Sequence, residues 1–310
     1  MQQLFRTATA LLKRSKMALW MTIITITLLW GYAWIVMKQV LQYMGPFTFT
    51  TFRFVTGSLA LFIIVYTTKQ FIAFKTYWKQ LIVQGVLQTT IAFALVMGAL
   101  QVVEAGKSSV LLYSMPIWSS LFAIKWLHEK LSVKKWFGLS LGFIGLLTIV
   151  GWDFIHESYL FLISELLIIL GSISWALSNI YFRRKLAHLP KVTTSAFQML
   201  FGAMGLFLIA LIFEWNEPII INSTTVLYIL FTGLLASALS FTVWFVILSL
   251  IDMASATIST LLVPIFGLLF SAIVLKEPLT GNIIIGGAFI ITGIVISQVK
   301  NGVNYAQNKK

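Results

Sequence analysis

Arg53 is the first residue in this chain whose type and position point to chemistry. It sits about seven residues into the apolar run Pro46–Tyr66, roughly 10 Å along a helix from its outer end. A guanidinium there can hold a substrate carboxylate as a two-pronged fork. It can also act structurally, capping carbonyls of a neighbouring helix or pairing with Glu104. A buried charge normally has partners, which puts the structural use slightly ahead. Glu165 is the one acid with a claim to lie inside a span, where a carboxylate can carry a coupling proton. The favoured alternative is that Ser164 and Glu165 open a helix, an acid in a first turn being well placed.

Around these two stand aromatic and polar residues at helical spacing. Trp30 and Trp175 lie one to two turns inside their runs, deeper than the interfacial belt to which Tyr32 and Trp34 can be assigned. Asn179 is one turn beyond Trp175 on the same face, placed to bond substrate or to join two helices. Phe93, Tyr113, Trp118, Phe241 and Trp244 suit an apolar pocket, although core packing explains any one of them alone. Gln84, Gln88, Thr89 and Thr90 in one run, and Ser237, Ser240 and Thr242 in another, point to a wet cavity. Pro116 and Pro264 interrupt two runs, each removing a backbone bond and freeing a carbonyl. They are read as kinks that shape that cavity.

These side chains need helices to hold them, and the composition places the helices in a bilayer. Of 310 residues, 59% are hydrophobic and 10% charged, against about a quarter charged in a soluble domain. There is no cysteine, which removes disulfides, thiol catalysis and cysteine-bound metal. No metal site or cofactor is expected. The charge of +13 sits in short loops between apolar runs, as an orienting signal and not a nucleic-acid surface. The first run, Met17–Val36, is too long for a signal-peptide core and reads as a retained helix.

Ten spans are predicted: Met17–Met37, Pro46–Tyr66, Leu81–Val102, Ser108–Leu127, Trp136–Trp152, one from Ser164 to just before Arg183, Thr193–Phe213, Thr224–Ile251, Ala254–Leu275 and Asn282–Val299. Met1–Lys16 reads as a basic surface anchor, Asp153–Ile163 as an interfacial segment, and Lys300–Lys310 as a loose polar tail. With the N-terminus inside, eighteen lysines and arginines fall on the cytoplasmic side. Three, Lys38, Lys107 and Lys276, fall outside. Both termini are then cytoplasmic.

The chain repeats itself. Trp30 matches Trp175 and Arg53 matches Gln198 at an offset of 145. Phe93 matches Phe241, Pro116 matches Pro264, Glu129 matches Glu277 and Gly138 matches Gly286 at an offset of 148. Five spans per half is an odd number, so the halves, 1–152 and 153–310, enter the membrane in opposite senses. Inverted repeats of this kind surround a midplane site and rock to expose it alternately. The Arg53/Gln198 mismatch makes an anion site one-sided. Gly138, Gly142, Gly286 and Gly287 mark close helix contacts, either within a repeat or with a second copy in a homodimer.

The Trp30–Gly31 and Trp175–Ala176 pairs, the lone Arg53, and the proline-to-Glu-x-Leu hairpins after Pro116 and Pro264 resemble the EamA family of the drug/metabolite transporter superfamily. The resemblance covers nearly the whole chain. It implies an all-α polytopic fold in which spans 1–4 and 6–9 enclose a cavity and spans 5 and 10 lie outside. It also implies a secondary carrier of small metabolites, often an amino-acid exporter, in a prokaryotic cell membrane. Trp30, Arg53, Gln88, Phe93, Tyr113, Trp175, Asn179, Gln198, Ser240 and Trp244 are the expected substrate contacts. An importer of a vitamin-like solute is the alternative. A membrane enzyme is disfavoured by the lack of H-E-x-x-H, G-x-S-x-G or a phosphate loop, and a channel by the lack of a selectivity element.

Overall fold

The computed structural model describes residues 12, 15–156 and 158–298. The predicted basic anchor lies almost wholly outside that range, and the C-terminal tail lies outside it. Among the described residues the chain is helical, with rods at all ten predicted places. They are α1 (Lys16–Val40), α2 (Pro46–Thr68), α3 (Phe74–Ala99), α4 (Ala105–Leu127), α5 (Val133–His156), α6 (Tyr159–Lys185), α7 (Lys191–Phe213), α8 (Ser223–Leu250), α9 (Met253–Ser259, then Leu262–Phe270 and Ser271–Leu275) and α10 (Gly281–Gln298). Eight of these, all but α5 and α10, are long and apolar enough to cross a membrane by length and composition.

Local chemistry sets the ends. The Ser15 hydroxyl accepts from Ala18 N and opens α1, and Pro46 opens α2, where its missing N–H costs nothing. Asn222 and Thr225 form a reciprocal capping box at the start of α8. The Ser158 hydroxyl accepts from Phe161 N (3.3 Å), so α6 begins at Tyr159 and not at Ser164. The predicted interfacial segment is therefore shared between the end of α5 and the start of α6. Helix α3 likewise starts at Phe74, seven residues earlier than its apolar run, because Lys75, Tyr77, Trp78 and Lys79 give it a polar first part. Helix α4 starts at Ala105, which takes Lys107 out of a loop and into a helix.

The two prolines correct a second expectation. Neither kinks a continuous helix. Helix α4 ends its first piece at Leu112 and resumes at Met115, with Pro116 in the new first turn. Helix α9 breaks between Ser259 and Leu262, with Pro264 in the turn that follows. In each case the missing N–H falls where a helix start leaves it without an intrahelical partner anyway. Two stretches of wider, π-helical winding also match across the repeat, Val86–Ile91 in α3 and Phe231–Leu239 in α8.

The packing follows the duplication. Helix α2 lies on α7, α4 on α9, and α5 along α10. The contact between α1 and α9 is mirrored by that between α6 and α4. Gly145 and Gly286 meet where α5 crosses α10, so the glycine faces join the two repeats. A Cβ added at Gly286 would stand 2.6 Å from the Gly145 carbonyl oxygen, whereas one at Gly281 meets nothing within 4 Å. Gly286→Ala is expected to lower the apparent Tm of the purified protein, and Gly281→Ala to leave it within error, since only the first forces two backbones apart. A thermal-unfolding series checks both.

Candidate functional site

Helices α1, α2, α3, α4, α6 and α8 converge on one narrow cleft of about 20 Å³, room for a single water. Its wall carries Trp30, Ala33, Trp34 and Met37 from α1, Arg53 from α2, Phe93 and Val96 from α3, Leu112 and Tyr113 from α4, Trp175 from α6 and Phe241 from α8. Two repeat-matched pairs form its aromatic frame. Trp30 and Trp175 meet edge to face at 5.8 Å and 82°, and Phe93 and Phe241 stand 6.3 Å apart at 76°. Trp30 and Trp175 each also touch Phe241, at 5.6 and 5.9 Å. Such tilted contacts fix ring positions and leave faces open to an apolar guest.

Arg53 is 2% exposed. Its Nε donates to Ser237 Oγ (2.7 Å), its Nη1 donates to Met37 Sδ (3.0 Å), and its guanidinium carbon lies 4.9 Å from the Phe93 ring centre. The expected structural uses do not hold, for it neither caps a carbonyl nor pairs with Glu104. No carboxylate among the described residues is within ion-pair distance of it. A guanidinium has five N–H donors, and a hydroxyl and a thioether are modest compensation for a buried charge.

The π-helical stretches explain how Arg53 is held. In α8 the stretch presents Ser237 to Arg53, and the carbonyl of Ala236 accepts from Trp30 Nε1 (2.8 Å). The matched stretch in α3 presents Thr89, whose hydroxyl accepts from Gln198 Nε2. Gln198 thus occupies the Arg53 position of the second repeat without reaching the cleft. The symmetry breaks at Trp175. Its Nε1 is buried with no acceptor, whereas its mate Trp30 has one. Because both line the cleft, the Arg53 guanidinium and the Trp175 N–H are donors available to a guest.

Of the other expected contacts, Asn179 and Trp244 form a layer behind the cleft. Trp244 Nε1 donates to Asn179 Oδ1 (3.1 Å), and Asn179 Nδ2 donates to Met115 Sδ (3.3 Å). Gln88 accepts from Gln84 Nε2 (2.5 Å), and Ser240 bonds back to Leu235 O (2.7 Å). Neither lines the cleft. Several polar residues of α3 and α8 thus serve contacts within and between helices, while Gln84 Oε1, Gln88 Nε2 and Thr242 Oγ1 are buried without a partner. Met37 and Val96 carry no sequence signal apart from lying on the same helical faces as Trp30 and Phe93, and Leu112 carries none.

Glu165 is fully buried in the second turn of α6, and Lys107 Nζ lies 2.9 Å from its Oε1. The helix-opening reading is overturned because Ser158 takes that role. Lys107, expected in an outer loop, is 5% exposed and also lies 4.6 Å from the Phe161 ring centre.

Apolar helices built twice over around a cation-bearing cleft suit a membrane transporter. The model of the EamA-like transporter family matches residues 16–151 and again 162–298, and the chain belongs to that family. It is a multi-pass protein of the cell membrane, and not an enzyme. It is 31% identical over 276 residues to the uncharacterized transporter YoaV of Bacillus subtilis strain 168, covering 89% of this chain and 94% of that one. It is 23% identical over 282 residues, 88% and 92% of the two chains, to a probable amino-acid metabolite efflux pump of Escherichia coli K12. A solved crystal structure with 17% sequence identity superposes with a TM-score of 0.71 over 92% of this chain and 97% of its own, which establishes the shared fold.

Proposed function

We propose that the chain is a secondary carrier that moves a small, amino-acid-like carboxylate out of the cell by alternating access. The observation that carries this reading is the buried Arg53, which has no carboxylate partner among the described residues and lines an aromatic cleft together with Trp175, whose N–H has no acceptor. A ligand carboxylate completes both, accepting from the guanidinium fork and from the indole. Its side chain lies among Trp30, Phe93 and Phe241, which favours an apolar or aromatic substituent. A cleft with room for one water must widen to admit a solute, as such a cycle requires. Export is favoured by the name of the Escherichia coli relative. All ten rods cross the membrane in this reading, and the charge count places both termini in the cytoplasm.

Reconstituted vesicles test it. Efflux of labelled L-phenylalanine or L-methionine is expected to saturate and to accelerate with unlabelled amino acid on the opposite side. Flux that never saturates contradicts a carrier. Trp175→Phe keeps the ring and deletes the N–H, so it is expected to weaken the apparent substrate affinity about two- to tenfold, the worth of one hydrogen bond. Trp30→Phe strands the Ala236 carbonyl instead, and is expected to lower thermal stability. Affinity and Tm measured side by side separate the two.

A further inference from the structure

We propose that Glu129 and Glu277 are the two gate latches of this carrier, each holding one end of the cleft shut by capping a helix of the opposite repeat. The proposal rests on the alternating-access reading above. Glu277 follows α9 and reaches the start of α4, where its two carboxylate oxygens accept from Ala105 N and Gly106 N, both at 2.9 Å. Glu129 follows α4 and reaches the start of α9, where Oε1 accepts from Met253 N at 3.1 Å. Glu129 is the mate of Glu277 and Ala105 of Met253 at the offset of 148, so the chain makes the same exchange twice. Each glutamate follows a residue in the left-handed conformation, His128 (φ 54°) and Lys276 (φ 60°). That conformation is uncommon outside glycine, and it turns the chain back toward the helix start.

The latches lie at opposite ends of α4, a rod of 23 residues, and so about 35 Å apart. Helices α4 and α9 are also the two rods broken in mid-course. Each latch therefore ties a half-rod of one repeat to a turn of the other, and motion of either half-rod must break its cap. Both caps are made here.

Both ends carry further polar ties. At the Glu129 end, Arg183 pairs with Glu129 (3.0 Å) and Lys135 with Asp252 (2.6 Å). Burial pushes the Asp252 carboxyl up, but its bonds to Lys135 and Ser255 outweigh this and hold it below the usual carboxylate range. At the Glu277 end, Lys38 donates to the carbonyls of Leu100 and Val103 (2.6 and 3.0 Å), and Lys107, two residues beyond the capped Ala105, pairs with Glu165 of α6 (2.9 Å).

The chain has no cysteine, so Ala33→Cys in the cleft gives a single reporter for a membrane-impermeant maleimide, applied to intact cells or to inside-out vesicles. Glu277→Gln is expected to raise labelling from the Glu277 face about tenfold or more, and Glu129→Gln to raise it from the other face. Ala105→Pro is the second variant. It deletes one donor to Glu277 at a position where proline is tolerated, after a Glu104 backbone (φ −63°, ψ 149°) that already suits a following proline. It is expected to copy Glu277→Gln. Should the Ala33→Cys parent label from both faces while the variants leave that balance unchanged, or shift it the same way, the latches are refuted and alternating access stands. Should the parent label from one face only, alternating access itself fails.

Discussion

Arg53→Gln is expected to abolish carboxylate transport while leaving a folded protein. The loss follows from two charge-assisted hydrogen bonds to the substrate, each about 1.5–3 kcal/mol, or roughly a hundredfold or more in affinity together. The intact fold follows from the second repeat, where Gln198 already fills the matched position and bonds to Thr89 just as a glutamine at 53 can bond to Ser237. The variant also removes a buried cation, so its apparent Tm is expected to hold or rise. Counterflow in vesicles and thermal unfolding read the two effects separately. A variant that transports normally, or one that fails to fold, assigns Arg53 to structure.

The second large effect is at Lys107 and Glu165. Removing either partner strands a buried charge, a loss of about 3–5 kcal/mol, whereas replacing both with apolar residues of similar size is often neutral. Lys107→Met and Glu165→Leu are each expected to unfold at a clearly lower temperature than the parent, and the double variant to recover most of that difference. Losses that simply add would show that the pair is not coupled. The pair ties α4 of the first repeat to α6 of the second, and it has no counterpart across the duplication, where Ser255 stands in place of Lys107 and Trp20 in place of Glu165.

Much of the architecture is legible in the sequence because duplication prints it twice. Glycines at matched offsets mark helix crossings, and matched prolines mark the broken rods. Matched aromatics, Trp30 with Trp175 and Phe93 with Phe241, mark the cleft. What is not legible depends on contacts between residues far apart in the chain. Lys107, three residues from Glu104, reads as a loop charge until Glu165 is brought to it. Glu165 reads as a helix start because the cap that displaces it, Ser158, lies in a mixed segment. The π-helical stretches leave no mark in a hydrophobic pattern, since apolar residues fill both faces of α3 and α8. Without them the bond from Arg53 to Ser237 cannot be placed. Glu129 and Glu277 are visible as a repeated motif, but that each caps the other repeat is a fact of tertiary structure alone.

The central claim is that Arg53 and Trp175 hold a carboxylate. It is tested most directly by thermal shift of the purified protein with the apolar and aromatic L-amino acids, each paired with its carboxamide. A ligand that binds only the folded state stabilises it by RT ln(1 + [L]/Kd), so at equal concentration the tighter ligand raises the apparent Tm more. At least one acid is expected to stabilise the wild type, its amide to do so far less, and the difference to vanish in Arg53→Gln. Equal shifts from acid and amide, or no shift from any acid, would contradict the claim.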